Sequence, residues 1–435
     1  MPLPKTPQDR PMRQDPAHSA WLQAEVVRQV NFFRPSLQPA GRFAVLDYAG
    51  KPLAGTIQEL HTTTRLVHSF ALAKAAGLPD TDAVIDAGMA FLWGHHRDAE
   101  HGGYLWSVDA DGVADGTKLA YGHVFVLLAG ASAKLAGHPD ADRLIADISA
   151  VIDQHFWDEE KGLLRDEFTR DWQPFSEYRG MNANMHGIEA LCTAYEATGN
   201  AVYLKRAGRI LDFFTDRIAQ EYDYRLPEHY TTDWQVDADY QGNPMFRPRG
   251  TTPGHSFELG RLLLQWWDLS GRPAGDAPVR ARLLIDTALN DAWVRGDWPQ
   301  AGGFVYTLNL DGSVSVPDRY WWPVTEAIGA VATVLNLDPQ PQYEDWYRRL
   351  WAFADETLID HAHGGWFPEL DASGKPAARQ FAGKPDIYHS VQAALLSQVR
   401  GLSRLSESLV ALKRCPERSV RPSGAERPVR AVSLP

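Results

Sequence analysis

Residues 184–199 read NMHGIEALCTAYEATG. Ile188, Leu191, Cys192 and Tyr195 recur at helical spacing, polar side chains crowd the start, and Gly199 supplies the stop. A second helical pattern follows over 202–218, carried by Leu204, Ile210, Leu211, Phe213 and Phe214. The same two-helix phrase recurs on both sides. The stretch 121–137 precedes 141–156, 254–271 precedes 279–293, and 322–337 precedes 343–359. Toward the N-terminus, 20–33 precedes 63–76, and 83–95 precedes Tyr121. That makes about twelve helices of two alternating kinds. One kind opens on a polar or aromatic anchor: Arg65, Tyr121, His186, His255, Glu326 and His389, at gaps of 56, 65, 69, 71 and 63 residues. Such a recurrence marks a repeated supersecondary unit.

The connectors repeat as well. His101-Gly-Gly-Tyr104 runs on to Asp111-Gly112, and Ala301-Gly-Gly-Phe304 to Asp311-Gly312; related runs start at Lys161 and His363. Alternating apolar residues around Asp-Gly predict short β-hairpins leading into the anchored helices. Six helix pairs with hairpins at one end predict an all-α (α/α)6 barrel. An open solenoid is the other all-α repeat architecture. Closure is favoured because it brings the six anchors to one cavity. The expected organisation is a flexible segment over 1–17, the barrel over 18–403, and a disordered tail over 404–435 that carries seven Lys/Arg against three Asp/Glu.

Composition excludes several classes. With 435 residues, 44% of them hydrophobic, the chain has ample material for a core. A net charge of −12 disfavours a nucleic-acid partner. No apolar run is long enough to span a membrane, and the N-terminus lacks the apolar stretch of a secretory signal. Two distant cysteines, Cys192 and Cys415, fit a reducing cytoplasm better than a disulfide framework. Phosphate loops, His-Glu-x-x-His and Cys-x-x-Cys patterns are missing, so neither a cofactor nor a metal is expected.

What remains for chemistry is histidine, carboxylate, arginine and aromatic side chains at helix starts. In FRPRGTTPGHSFE (246–258), His255 and Glu258 stand three apart on one helix face, where a carboxylate can orient an imidazole. In KPDIYHSVQ (384–392), His389 opens the last anchored helix. In YRGMNANMH (178–186), Asn182 and His186 form an i, i+4 pair. Arg65, Tyr121, Trp321 and Glu326 complete the set. Tyr121 and His123 are two apart, so a regular helix cannot aim both at one cavity. Glu258, Glu326 and Asp386 also leave open a glycoside hydrolase, which needs two carboxylates. Arg247 and Arg249 are available to an anionic sugar substituent or to solvent.

Taken together, TTTRLVHSFAL, YGHVFVLLA, YRGMNANMHGIEAL, RPRGTTPGHSFELGRLLLQ, RYWWPVTEAIGA and KPDIYHSVQAALL resemble the N-acylglucosamine 2-epimerase superfamily, over about residues 18–403. Within it they look most like the aldose–ketose isomerase branch. The resemblance implies an (α/α)6 barrel without a required metal, acting on a monosaccharide. It implies His389 as the base at sugar C2, His255 as the acid/base for ring opening, and Glu258 as support for His255. Arg65, Tyr121, Asn182, His186, Trp321 and Glu326 are implied as substrate-binding residues. D-mannose and D-fructose are the favoured pair; sulfoquinovose isomerisation and sugar 2-epimerisation remain open.

Overall fold

The structure, a computed structural model, describes residues 2–414 apart from 56, 244–245 and 298–299. In chain order its helices are α1 (Pro16–Phe33), α2 (Leu60–Ala75), α3 (Asp82–Phe91), α4 (Ala120–Leu135), α5 (Ala141–Val151), α6 (Met181–Thr198), α7 (Ala201–Leu211), the single turn α8 (Ala219–Glu221), α9 (Pro253–Leu269), α10 (Ala277–Ala292), α11 (Trp321–Leu337), α12 (Pro341–Phe353), α13 (Tyr388–Leu396) and α14 (Leu405–Arg414).

Six of them form an inner ring. Helix α2 packs on α4, α4 on α6, α6 on α9, α9 on α11, α11 on α13, and α13 back on α2. That last contact closes the (α/α)6 barrel and excludes the open solenoid. The inner helices are buried on nearly every side, which their sequences allow by being small or apolar all round. In α4 every residue from Gly122 to Ala133 is buried. Gly260 shows how tight the layers are: a Cβ there would stand 2.9 Å from the Ala281 carbonyl of α10.

Helices α3, α5, α7, α10 and α12 each cover the inner helix that precedes them. Sequence order pairs 20–33 with 63–76, but the structure sets α1 outside α13 instead. The reason is topological. Among the described residues the helix that follows α13, α14, packs on α2, and the outer position beside α13 is taken by α1, whose Trp21, Leu22, Val26 and Val30 are buried. Gln29 and Ser390 hydrogen-bond across this seam at 2.6 Å.

All six connectors turn back on themselves at the same end. Ser107–Val108 pairs with Val113–Asp115, and Thr307–Leu308 with Val314–Val316. Single antiparallel bridges do the same at Leu46–Pro52, Phe168–Pro174, Tyr230–Val236 and Leu370–Pro376. Neighbouring connectors are then laced together, ending with Lys384 on Leu46. This belt holds the N-termini of the inner helices around one mouth.

Segments near both termini pack on the barrel. Within 1–17, expected to be flexible, Met12 and Arg13 are buried. Arg13 donates to the Ala332 and Ser397 carbonyls at 2.9 and 3.1 Å. Within 404–435, α14 packs on α2 with Leu409 buried; residues 415–435 lie outside the described residues. Among the described residues no helix is long and apolar enough to cross a membrane.

Candidate active site

Two imidazole–carboxylate pairs stand inside the mouth. His389, in the first turn of α13, places Nδ1 2.8 Å from Oε1 of Glu326, which lies one turn into α11. His255, in the first turn of α9, places Nδ1 2.9 Å from Oε1 of Glu228, on the connector before α9. An ionised carboxylate can only accept, so each pair assigns the proton to Nδ1 and leaves Nε2 as the free basic nitrogen. The Trp322 indole lies beside both rings, with centroids 5.1 Å from His255 and 5.7 Å from His389, which bounds the imidazole separation at about 11 Å. Gly254 makes room for that indole: a Cβ there would come 2.2 Å from Trp322 Cζ3.

The opposite wall is built around Arg65. Its guanidinium donates to Asp386 Oδ2 at 2.8 Å and to the Tyr121 hydroxyl at 2.7 Å. The rings of Phe125 and Tyr388 lie 4.7 and 4.8 Å from it. Asp386 also accepts from the amide of Tyr388, the first residue of α13, at 3.1 Å. Burial, the largest single influence, would raise this carboxyl; the charge and hydrogen bond of Arg65, with smaller contributions from the neighbouring histidines, together outweigh it and hold Asp386 below the usual carboxylate range. His186 packs on Tyr121 and Phe125 at 5.4 and 4.8 Å, and burial lowers it to about 4, which keeps it neutral near pH 7. One turn earlier on α6, half-buried Asn182 has a buried Oδ1 with no partner among the described residues.

Several sequence expectations change in detail. Glu258 does not hold His255; Glu228 does. Glu258 instead sits 3.4 Å from His186 Nδ1, fully buried, with both oxygens lacking hydrogen-bond partners among the described residues. Burial, with the charges of Glu326 and Glu189 added, pushes its carboxyl well above the ordinary range. Trp321 is buried and edge-on to Phe381 and His389 at 5.5 and 6.2 Å, while its half-buried neighbour Trp322 lies beside both histidines. His123 points away as its spacing from Tyr121 predicts, accepting from the Tyr104 amide at 3.0 Å.

Sequence reasoning missed Glu228, Trp322 as distinct from Trp321, and the roles of Asp386 and Tyr388 in holding Arg65. Asp386 and Tyr388 lie inside the KPDIYHS motif and were findable there. Glu228 sits in a connector, where no periodicity marks it. The described residues contain one group with metal-ligand potential: His186, Glu189 and Glu258, whose ligand atoms fall within 4.8 Å of one another. The Arg261 guanidinium is already 3.9 Å from Glu258 and 4.0 Å from Glu189, so a cation there would meet a charge of its own sign.

A family model for N-acylglucosamine 2-epimerase matches residues 41–393. The chain is 43% identical to a D-mannose isomerase of Thermobifida fusca, over 87% of this chain and 94% of that protein. It is 40% identical to a D-mannose isomerase of Pseudomonas cannabina pv. alisalensis, over 88% and 92%. A crystal structure of D-mannose isomerase superposes with a TM-score of 0.82 at 32% identity, covering 88% of this chain and 99% of the other. With the closed helical barrel and these matches in hand, the chain belongs to the N-acylglucosamine 2-epimerase family.

Proposed function

We propose that this protein, an aldose–ketose isomerase, interconverts D-mannose and D-fructose through a cis-enediolate by proton transfers alone. The observation that carries the proposal is the pair of imidazole–carboxylate couples beside one indole. An open-chain aldose seated against Trp322 has an Nε2 on each couple to meet it. His389 removes the C2 proton and returns it to C1 on the same face, while the hydroxyl proton moves from O2 to O1. His255 trades protons with the ring oxygen and the anomeric hydroxyl during opening. Arg65, Tyr121 and the neutral His186 line the wall that faces the developing oxyanion. The electrons stay within the sugar, so the balance calls for no cofactor. Two relatives with D-mannose isomerase names, at 43% and 40% identity, favour this outcome over 2-epimerisation.

The carboxylates argue against glycoside hydrolysis. Glu326 is engaged by His389, Asp386 by Arg65, and Glu258 is sealed and favoured as the neutral acid. No two are free to flank a scissile bond. A neutral sugar is favoured because Arg247 donates to Glu167 at 2.6 Å and lies 4.0 Å from the Tyr178 ring. The test is incubation with D-mannose in deuterated water, followed by NMR. Fructose carrying a single deuterium at C1 is expected, to the extent that His389 exchanges with solvent. Glucose without fructose, or turnover of N-acetylmannosamine alone, replaces the proposal with a 2-epimerase. Turnover is expected to survive exhaustive chelation; loss with recovery on adding a divalent ion overturns the cofactor-free mechanism.

A further inference from the structure

Arg261 of α9 is buried beneath the site, and its surroundings are unusual for an arginine. Its Nη2 lies 3.7 Å from Glu326 Oε2, 3.9 Å from Glu258 Oε1 and 4.0 Å from Glu189 Oε1. These distances are too long for hydrogen bonds, and Nε and Nη2 have no hydrogen-bond partner among the described residues. Arg261 therefore acts on its neighbours as a charge and not as a clamp. Below it lies a cavity of about 40 Å³, lined in part by His68, Glu189, Gln265 and Gln392, which is room for water and not for a sugar. The guanidinium is placed to serve the carboxylates above it.

The two oxygens of Glu326 divide the work. Oε1 meets His389 Nδ1 at 2.8 Å, and Oε2 faces Arg261. The other titratable groups of this cluster are His186 and Glu189 from α6, Glu258 from α9, His68 from α2, and Tyr388 from α13, whose hydroxyl donates to Glu189. Among these contacts Arg261 is the cation nearest Glu326.

We propose that Arg261 is a positioning residue for isomerisation: its charge keeps Glu326 an anionic acceptor, and that acceptor holds His389 in the tautomer whose Nε2 is free to take the substrate proton. This rests on the reading of His389 as the base. Removing the charge lets Glu326 bind a proton. A protonated Glu326 donates to Nδ1, the ring proton then resides on Nε2, and the base is blocked with no change in the number of ring protons.

The test compares Arg261→Met with Arg261→Lys by imidazole ¹⁵N NMR of the free protein, with His389 assigned through His389→Gln. The parent and the lysine variant are expected to show Nδ1 protonated and Nε2 free; the methionine variant is expected to show the reverse. In kinetics, Arg261→Met should lose about 10²-fold in kcat, the scale of a lost general base. KM should hardly move, the acidic limb of the kcat profile should shift to higher pH, and lysine should restore most of the loss. A methionine variant that keeps the parent tautomer, or a loss confined to KM, overturns the proposal. If Arg261→Met does not fold, Arg261→Lys decides: its tautomer and acidic limb must match the parent, and a moved limb with the charge retained refutes the role. Absence of aldose turnover in the parent defeats the isomerase reading instead, while the NMR arm still decides the Arg261 proposal.

Discussion

The two imidazole–carboxylate pairs look alike in distance and differ in construction. His389 and Glu326 both stand on inner helices, so the packing of α11 on α13 sets their geometry. His255 stands on α9, but Glu228 comes from a connector, placed by its carbonyl's bond to the Met181 amide and its own amide's bond to the Gly250 carbonyl. The first side chain is 8% exposed and the second 13%, and only the first pair has Arg261 behind it. A base that takes a weakly acidic carbon proton gains from a rigid, dry setting. An acid/base that opens a ring works on oxygens, whose protons move readily, and tolerates a looser mount. On the proposed mechanism, this construction suits the inner pair to the carbon chemistry and the connector pair to the oxygen chemistry.

Replacing the base tests this most severely. His389→Ala should cost about 10²–10⁴ in kcat with the circular dichroism spectrum unchanged. A folded variant with near-normal turnover would move the carbon chemistry elsewhere. Next, Glu326→Gln should cost about 10²-fold, because an amide can turn its NH₂ toward Nδ1 and impose the wrong tautomer. Glu228→Gln should cost less, about tenfold in kcat/KM, since ring opening also proceeds in water. If Glu228→Gln proves the more damaging of the two, the comparison is inverted.

The smallest effect concerns stability. Burial, the leading cause, lowers His18 and His123 to about 3, and His68, His96 and His186 to about 4. These groups stay neutral in the folded chain below pH 6.5 while the unfolded chain takes up protons. Stability is thus present above pH 6.5 and is lost as pH falls toward 4. Calorimetry at stepped pH should show the thermal midpoint falling through that window. A flat midpoint would mean these histidines are protonated in the folded state. The same scan separates acid unfolding from the acidic limb of activity.

Much of this was legible in the chain. The sixty-residue period, the anchors at helix starts and the glycine-marked connectors led to a barrel with its polar residues at one mouth. Arg65, Tyr121, Asn182, His186, His255, Glu326 and His389 were identifiable as a group because each begins, or lies a turn into, a repeated helix. The error over Glu258 is instructive. A three-residue spacing places two side chains on one helix face, yet Glu258 sits a turn deeper and meets His186 on the neighbouring inner helix α6. Helical spacing reports the direction a residue faces and is silent on what stands opposite.

Sequence by itself determined the elements, because helix and turn preferences are local and the repeat displays them six times over. Tertiary structure alone decided that α1 covers α13, that Glu228 meets His255, that Trp322 and not Trp321 lies beside both histidines, and that Arg261 lies behind Glu326. Those partners are separated by tens to hundreds of residues or by a single side-chain orientation. Only closure of the ring, which brings six helix ends to one axis, puts them within reach of one another.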